Sequence, residues 1–174
     1  MPSRRRQLEW TMIGIGASTS DKGEPQLSET GEFLQAVLPR LREESIALHN
    51  GDPGPRLALW SRNDPVTLFG ALQIKSGWND VGQVFEWVAS RFSNCDSFEF
   101  EVIGADTSGD LGYVVGIEHT AASVGGEQPE AYELRVTTIF RRENGEWKAV
   151  HRHADPVPES ASAGDQLARL GESP

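Results

Sequence analysis

The chain has 174 residues, a length that predicts one domain with a core of ordinary size. Its formal net charge of -10 argues against nucleic acid or an anionic membrane surface as the main partner, and no run approaches the roughly 18 apolar residues of a membrane span. The single cysteine, Cys95, excludes an internal disulfide and a cysteine-ligated zinc centre within one chain, and it fits a reducing cytoplasm.

Residues 1–27 are polar, Gly-rich and aperiodic, and predict a flexible N-terminal arm. Ser3-Arg4-Arg5-Arg6 has the flavour of an export signal. Glu9 interrupts it, however, the apolar piece from Trp10 to Ala17 is short, and no clear small-residue cleavage site follows. The first helix starts at a Ser28 cap, and Phe33, Leu34, Val37, Leu38, Leu41, Ile46 and Leu48 recur mostly at helical spacing. Pro39 falls inside it and predicts a kink. Asn50-Gly51-Asp52-Pro53-Gly54 ends it, with His49 read as a solvated helix-end residue. A short helix over Pro55–Ser61, an extended piece over Val66–Leu72 and a third helix from an Asp80 cap to Phe92 follow. Strands are expected over Ser97–Asp106, Gly112–Ser123, Ala131–Arg142 and Trp147–Asp155, and residues 157–174 predict a flexible tail. Helices first and an antiparallel meander last is an α+β pattern. Helices covering one face of a curved, mostly antiparallel sheet would make a cone with an interior pocket.

The closing hairpin carries the most information. Asn144-Gly145 between two alternating β-branched runs is the signature of a type I′ two-residue turn. Counting from that turn sets Ile139 against Val150, Thr137 against Arg152 and Arg135 against Ala154. The preceding hairpin has a longer loop. Pairing Ser123 with Glu130 sets Glu118 against Arg135. One face then holds Glu118, Arg135, Thr137 and Arg152; the other holds His119, Val136, Thr138, Phe140, Ala149, His151 and His153. A one-residue bulge in either hairpin would exchange these assignments.

The order of elements, with Ala58-Leu59-Trp60-Ser61, Asp64-Pro65-Val66-Thr67-Leu68-Phe69-Gly70, Gly77-Trp78 and the segment Arg141–His153, resembles the nuclear transport factor 2-like, or cystatin-like, superfamily over residues 28–156. The closing segment is similar to SnoaL-like and ketosteroid-isomerase-like domains, and to the association domain of calcium/calmodulin-dependent kinase II. The resemblance implies a cone-shaped pocket and dimerisation through the sheet. It does not imply one reaction, since such folds serve isomerases, dehydratases, cyclases and non-catalytic scaffolds. The only tyrosines, Tyr113 and Tyr132, do not sit on the first helix, so the ketosteroid isomerase arrangement is not reproduced.

The expected site is the Glu118, Arg135, Thr137, Arg152 face, taken as the concave one. Glu118 would act as acid or base, and Arg135 and Arg152 would hold an anionic oxygen beside Thr137. The resemblance points the same way, because in the kinase association domain arginines project into the cavity from the last strands. Trp60 and Trp78 are expected as pocket walls, with Asp64 at the cavity edge. A plain Glu118–Arg135 ion pair is the competing reading. His151 and His153 share a strand face, as two metal ligands would, but no further ligand set assembles around them, so neither metal nor cofactor is expected. The expected partners are a small organic ligand and a second copy of the chain. The competing function is a non-catalytic association module whose outer row would be Val136, Phe140 and Ala149.

Overall fold

The computed structural model describes residues 27–70 and 73–157. The arm and tail expected at the two ends lie outside these residues, apart from Leu27 and Val157. The elements are α1 (Glu29–Leu48), α2 (Gly54–Leu59), β1 (Thr67–Phe69), β2 (Ile74–Ser76), α3 (Trp78–Ala89), β3 (Phe92–Ser108), β4 (Leu111–Val124), β5 (Glu130–Glu143) and β6 (Glu146–Pro156). This is an α+β fold with one six-stranded sheet in the order β2-β1-β6-β5-β4-β3. All neighbours are antiparallel except β1 and β6.

Helix α1 forms where the sequence places it. The Ser28 hydroxyl accepts the Gly31 amide at 3.1 Å, and Glu29 and Glu32 sit in the first turn, where negative charge suits the helix dipole. The helix runs through Pro39, which is exposed, as is Gln35, whose carbonyl loses its usual amide partner there. The buried stripe is Phe33, Val37, Leu41, Ser45 and Leu48, and it continues at the same four-residue step to His49. Helix α3 differs from expectation in its cap. Asp80 lies in the first turn, while the carboxylate of Asp64 accepts the Trp78 amide at 2.9 Å from a preceding loop.

The helices bury one face of the sheet. Phe33, Val37, Leu41, Leu59, Trp60, Val81 and Phe85 pack against Leu68, Val114, Phe140, Trp147 and Ala149. Phe33 meets Phe140 and Trp147 edge-on, with centroids 5.6 and 4.9 Å away. Gly116 stands on the inner face of β4 because a Cβ there would lie 2.2 Å from the Glu101 carbonyl oxygen and 2.7 Å from the Phe100 ring. The absence of a side chain lets β3 and its Phe100 ring approach closely.

Register decides which side chains reach the interior, and two corrections apply. Asn144 and Gly145 do form the turn, both with positive φ, and Glu143 pairs with Glu146. Phe140 then pairs with Ala149, but Ile139 pairs with His151, which leaves Val150 as an extra residue. Beyond this bulge the faces of β6 exchange: Arg152 and Ala154 turn inward, and His151 and His153 turn outward. The β4–β5 hairpin is one residue off the expected pairing, because Ala122, not Ser123, pairs with Glu130. Its long loop, with positive φ at Gly125 and Gly126, sets no unique register. Glu118 therefore lies opposite Leu134, and Arg135 and Thr137 lie on the outer face, opposite Asp155 and His153. Val136, Phe140 and Ala149, expected in an outer row, are buried in the core.

Candidate functional site

A cavity of about 650 Å³ opens between α1, α3 and the inner face of β4, β5 and β6. Its walls are largely apolar: Leu48, Leu68, Val84, Phe85, Val88, Phe92, Leu134 and Ala154 contribute, with Trp87 and Arg91 also on the lining. Seven polar side chains share it: His49, Arg56, Gln73, Arg91, Glu118, Tyr132 and Arg152. Apolar walls with a few convergent polar groups are the usual form of a ligand site.

The buried charges at this cavity are paired. Arg152 Nη1 and Nη2 donate to Glu118 Oε1 and Oε2 at 2.8 and 2.7 Å, a two-pronged bond on which both carboxylate oxygens are engaged. Arg56 Nε donates to Glu44 Oε2 in a very short contact, and its Nη2 reaches the Ser45 hydroxyl at 3.4 Å. All four charged residues are at most 6 % exposed. Burial pushes the Glu118 carboxyl up, but the charge and hydrogen bonds of Arg152, with Arg56 beyond, outweigh it, and the group is held below its ordinary value. Burial prevails at Glu44, whose carboxyl is raised despite Arg56.

His49 and Tyr132 form a second unit. His49 Nδ1 lies 2.6 Å from the Ser45 carbonyl oxygen, and Nε2 lies 2.5 Å from the Tyr132 hydroxyl. A carbonyl only accepts, so Nδ1 carries the proton, Nε2 accepts, and the Tyr132 hydroxyl donates to it. Burial is the main force on both residues. It lowers the imidazole to about 4 and raises the phenol to about 12, so both are neutral at pH 7. Phe92 stands edge-on to the imidazole with centroids 4.6 Å apart. The unit can move a proton without creating a free charge in solvent: the phenolic oxygen takes one from a ligand while its own passes to Nε2, leaving an imidazolium held by Ser45 and favoured by the Glu118 carboxylate.

The expected residues are therefore divided. Glu118 and Arg152 line the cavity, while Arg135 and Thr137 do not. Arg135 instead forms an exposed pair with Asp155, at 2.5 Å from Nη2 to Oδ2. Trp60 is buried against Phe85, with centroids 4.8 Å apart, and pairs with Ala149 as a core residue. Trp78 stacks beneath Arg62 and beside Gly82, away from the cavity lining. Asp64 caps α3. On the outer face, Thr67 meets His151 Nδ1 at 2.7 Å, and Phe69 lies edge-on to His151 and His153. Among the described residues no group of three or more His, Cys, Asp or Glu is placed to hold a metal ion, and no helix is long and apolar enough to cross a membrane. His49, Tyr132, Arg56 and Glu44 are not among the residues expected at the site. The four-residue step Phe33, Val37, Leu41, Ser45, His49 is the signal that would have turned His49 inward.

Comparison with known proteins agrees with the fold. A SnoaL-like domain model matches residues 47–158. A proposed dehydratase of the nuclear transport factor 2-like family from Streptomyces avermitilis is 20% identical, with a TM-score of 0.59 over 74% of this chain and 98% of that one. A ketosteroid isomerase-like protein from Erwinia carotovora atroseptica is 14% identical, with a TM-score of 0.61 over 74% and 98%. A proposed calcium/calmodulin-dependent kinase II association domain from Xanthomonas campestris is 11% identical, with a TM-score of 0.55 over 80% and 96%. At such identities the likeness is one of fold alone. A search of curated proteins found no significant match. With the family model covering residues 47–158, the chain belongs to the SnoaL-like domain family, and its fold is the one shared by these nuclear transport factor 2-like proteins.

Proposed function

We propose that this chain binds a small, largely apolar organic molecule in the cavity and works on it by acid/base chemistry of the isomerase, dehydratase or cyclase kind. The observation that carries this reading is the Tyr132 hydroxyl 2.5 Å from a neutral, carbonyl-anchored His49 inside an apolar cavity of about 650 Å³. A phenol so held offers its oxygen to a ligand hydroxyl or enol, and the imidazole behind it stores the proton. Glu118 and Arg152 hold the field around the dyad. The carboxylate favours the imidazolium, and the guanidinium keeps the carboxylate ionised. In this proposal Glu118 stabilises charge rather than carrying the proton, because both its oxygens are occupied by Arg152. Stability alone does not account for two buried ion pairs, since apolar residues of equal volume commonly serve a core as well or better.

The test is a thermal-shift screen of aromatic ketones and enols. Hits that stabilise the wild type are expected to lose that effect in Tyr132→Phe and keep it in Arg135→Met and Thr137→Val. Hits that bind Tyr132→Phe unchanged contradict the reading.

A second reading, association of two copies through the sheet, is favoured by exposed apolar residues on the outer face. Leu111 and Tyr113 are 54% and 41% exposed, opposite Arg141 and Ile139. It is compatible with the first, because the cavity opens on the other face. Light scattering of wild type and Tyr113→Glu decides it: a dimer that the variant dissociates supports it, and a wild-type monomer removes it.

A further inference from the structure

The following rests on the reading that the cavity is the ligand site, and it concerns the ligand's head group. Arg56 reaches the cavity from α2 with its side chain 8% exposed. Nε donates to Glu44 and Nη2 to Ser45, but Nη1 has no hydrogen-bond partner among the described residues. Arg152 differs, because both its terminal nitrogens are engaged by Glu118. Arg91, the third arginine on the lining, is exposed to solvent and stacks on Trp87. Arg56 is therefore the buried arginine with a terminal nitrogen open to a ligand, and a guanidinium suits a carboxylate.

The charges of Glu44, Arg56, Glu118 and Arg152 sum to zero when all are ionised. An incoming carboxylate adds a negative charge to a largely apolar enclosure, where an uncompensated charge is costly. A proton on one of the two protein carboxylates restores the balance. Both oxygens of Glu118 are bonded to Arg152, whereas Glu44 has Oε2 on Arg56 and Oε1 3.3 Å from the Ser45 hydroxyl, which can accept a proton donated from Oε1. The groups acting on Glu44 are Arg56 from α2, Arg152 from β6 and Glu118 from β4. His49 on α1, Tyr132 on β5 and the exposed Arg91 after α3 are the other titratable groups on the cavity lining. Burial raises Glu44 whereas Arg152 holds Glu118 low, which is the order this choice requires.

We propose that the cavity takes an apolar carboxylic acid as its anion, seated on the open Nη1 edge of Arg56, and that Glu44 takes up one proton from solvent as the anion arrives. No covalent bond to carbon forms or breaks in this step.

Two probes of matched shape test it: 2-naphthoate, an anion, and 2-acetonaphthone, a neutral ketone. Titration calorimetry in buffers of different ionisation enthalpy counts protons directly. For 2-naphthoate the expected result is uptake of about one proton and a Kd that rises with pH. The ketone is expected to bind with no such dependence. Glu44→Gln, close in size and still hydrogen-bonded to Arg56, is expected to bind 2-naphthoate without proton uptake. Arg56→Met is expected to lose 2-naphthoate at least roughly tenfold while keeping the ketone, whose binding also reports an intact cavity. If Arg56→Met does not fold, the proton count in wild type and Glu44→Gln still decides. Binding of 2-naphthoate without proton uptake in wild type overturns the proposal, as does equal binding to Arg56→Met or binding of the ketone alone. Failure of both probes to bind wild type strikes the underlying cavity reading instead.

Discussion

Glu118–Arg152 and Arg135–Asp155 are the same chemical pair on opposite faces of one sheet. The inner pair has side chains 5% and 8% exposed, and the outer pair 40% and 51%. Both have hydrogen-bond geometry, with contacts of 2.7 and 2.5 Å. Distance therefore says nothing about their difference, and water says nearly everything. Outside, solvent screens the attraction and hydrates either partner left alone. Inside, each charge depends on the other for the solvation it gave up. The inner pair also sits in a cavity with a histidine and a tyrosine whose titration it biases, so it belongs to a site rather than to a surface.

The comparison can be broken most severely at Arg152. Arg152→Met strands the buried Glu118 carboxylate and is expected to cost about 3–5 kcal/mol in urea unfolding at neutral pH. A loss no larger than that of Arg135→Met would remove the distinction. The pH dependence of stability sharpens it next. His49 titrates at about 4 in the fold against 6.5 as a free side chain, so its neutral form is the one the fold favours. Stability is full above about pH 6.5 and falls through the window down to about 4 as the unfolded chain takes up the proton first. The loss is about 3 kcal/mol, absent in His49→Gln, and is read from urea midpoints across that range. Glu44 works the other way: its raised carboxyl favours the fold as pH falls, so Glu44→Gln is expected to steepen the acid loss. Asp64→Ala removes the α3 cap from a loop far from the cavity chemistry and is expected to cost about 1 kcal/mol with ligand binding unchanged. Arg135→Met, on the outer face, is expected to cost under about 1 kcal/mol, measured in the same way.

The elements were legible in the sequence because each is written in local chemistry: a Ser28 cap before a four-residue apolar step, an Asn-Gly turn between alternating strands. The face assignment was legible only in part: Glu118 and Arg152 face inward and His151 and His153 outward as expected, but which β5 residues join them depends on one backbone insertion. Val150 is β-branched and apolar and suits either side of a strand, so nothing in its identity marks it as the bulge. The bulge alone turns Arg152 inward and His151 and His153 outward. Loop length hid the second shift, since Ser123 and Ala122 are equally plausible partners for Glu130 until the strands are paired. His49 was lost for a different reason. A polar residue at a helix end is usually solvated, and only packing of β5 against that end gives its ring a Tyr132 partner. Glu44 and Arg56 are 12 positions apart on two helices, a separation that no single-helix pattern reveals.

The central claim is that a neutral His49–Tyr132 unit at the polar end of the cavity meets the ligand's oxygen. Nitrogen-15 NMR of the His49 imidazole, with and without 2-acetonaphthone, tests it most directly. The expected spectrum is the neutral tautomer protonated at Nδ1, persisting as pH falls until about 4, with an Nε2 resonance that moves when the ketone binds. A His49 that titrates near its free value of 6.5 and whose nitrogens ignore the ketone would contradict it.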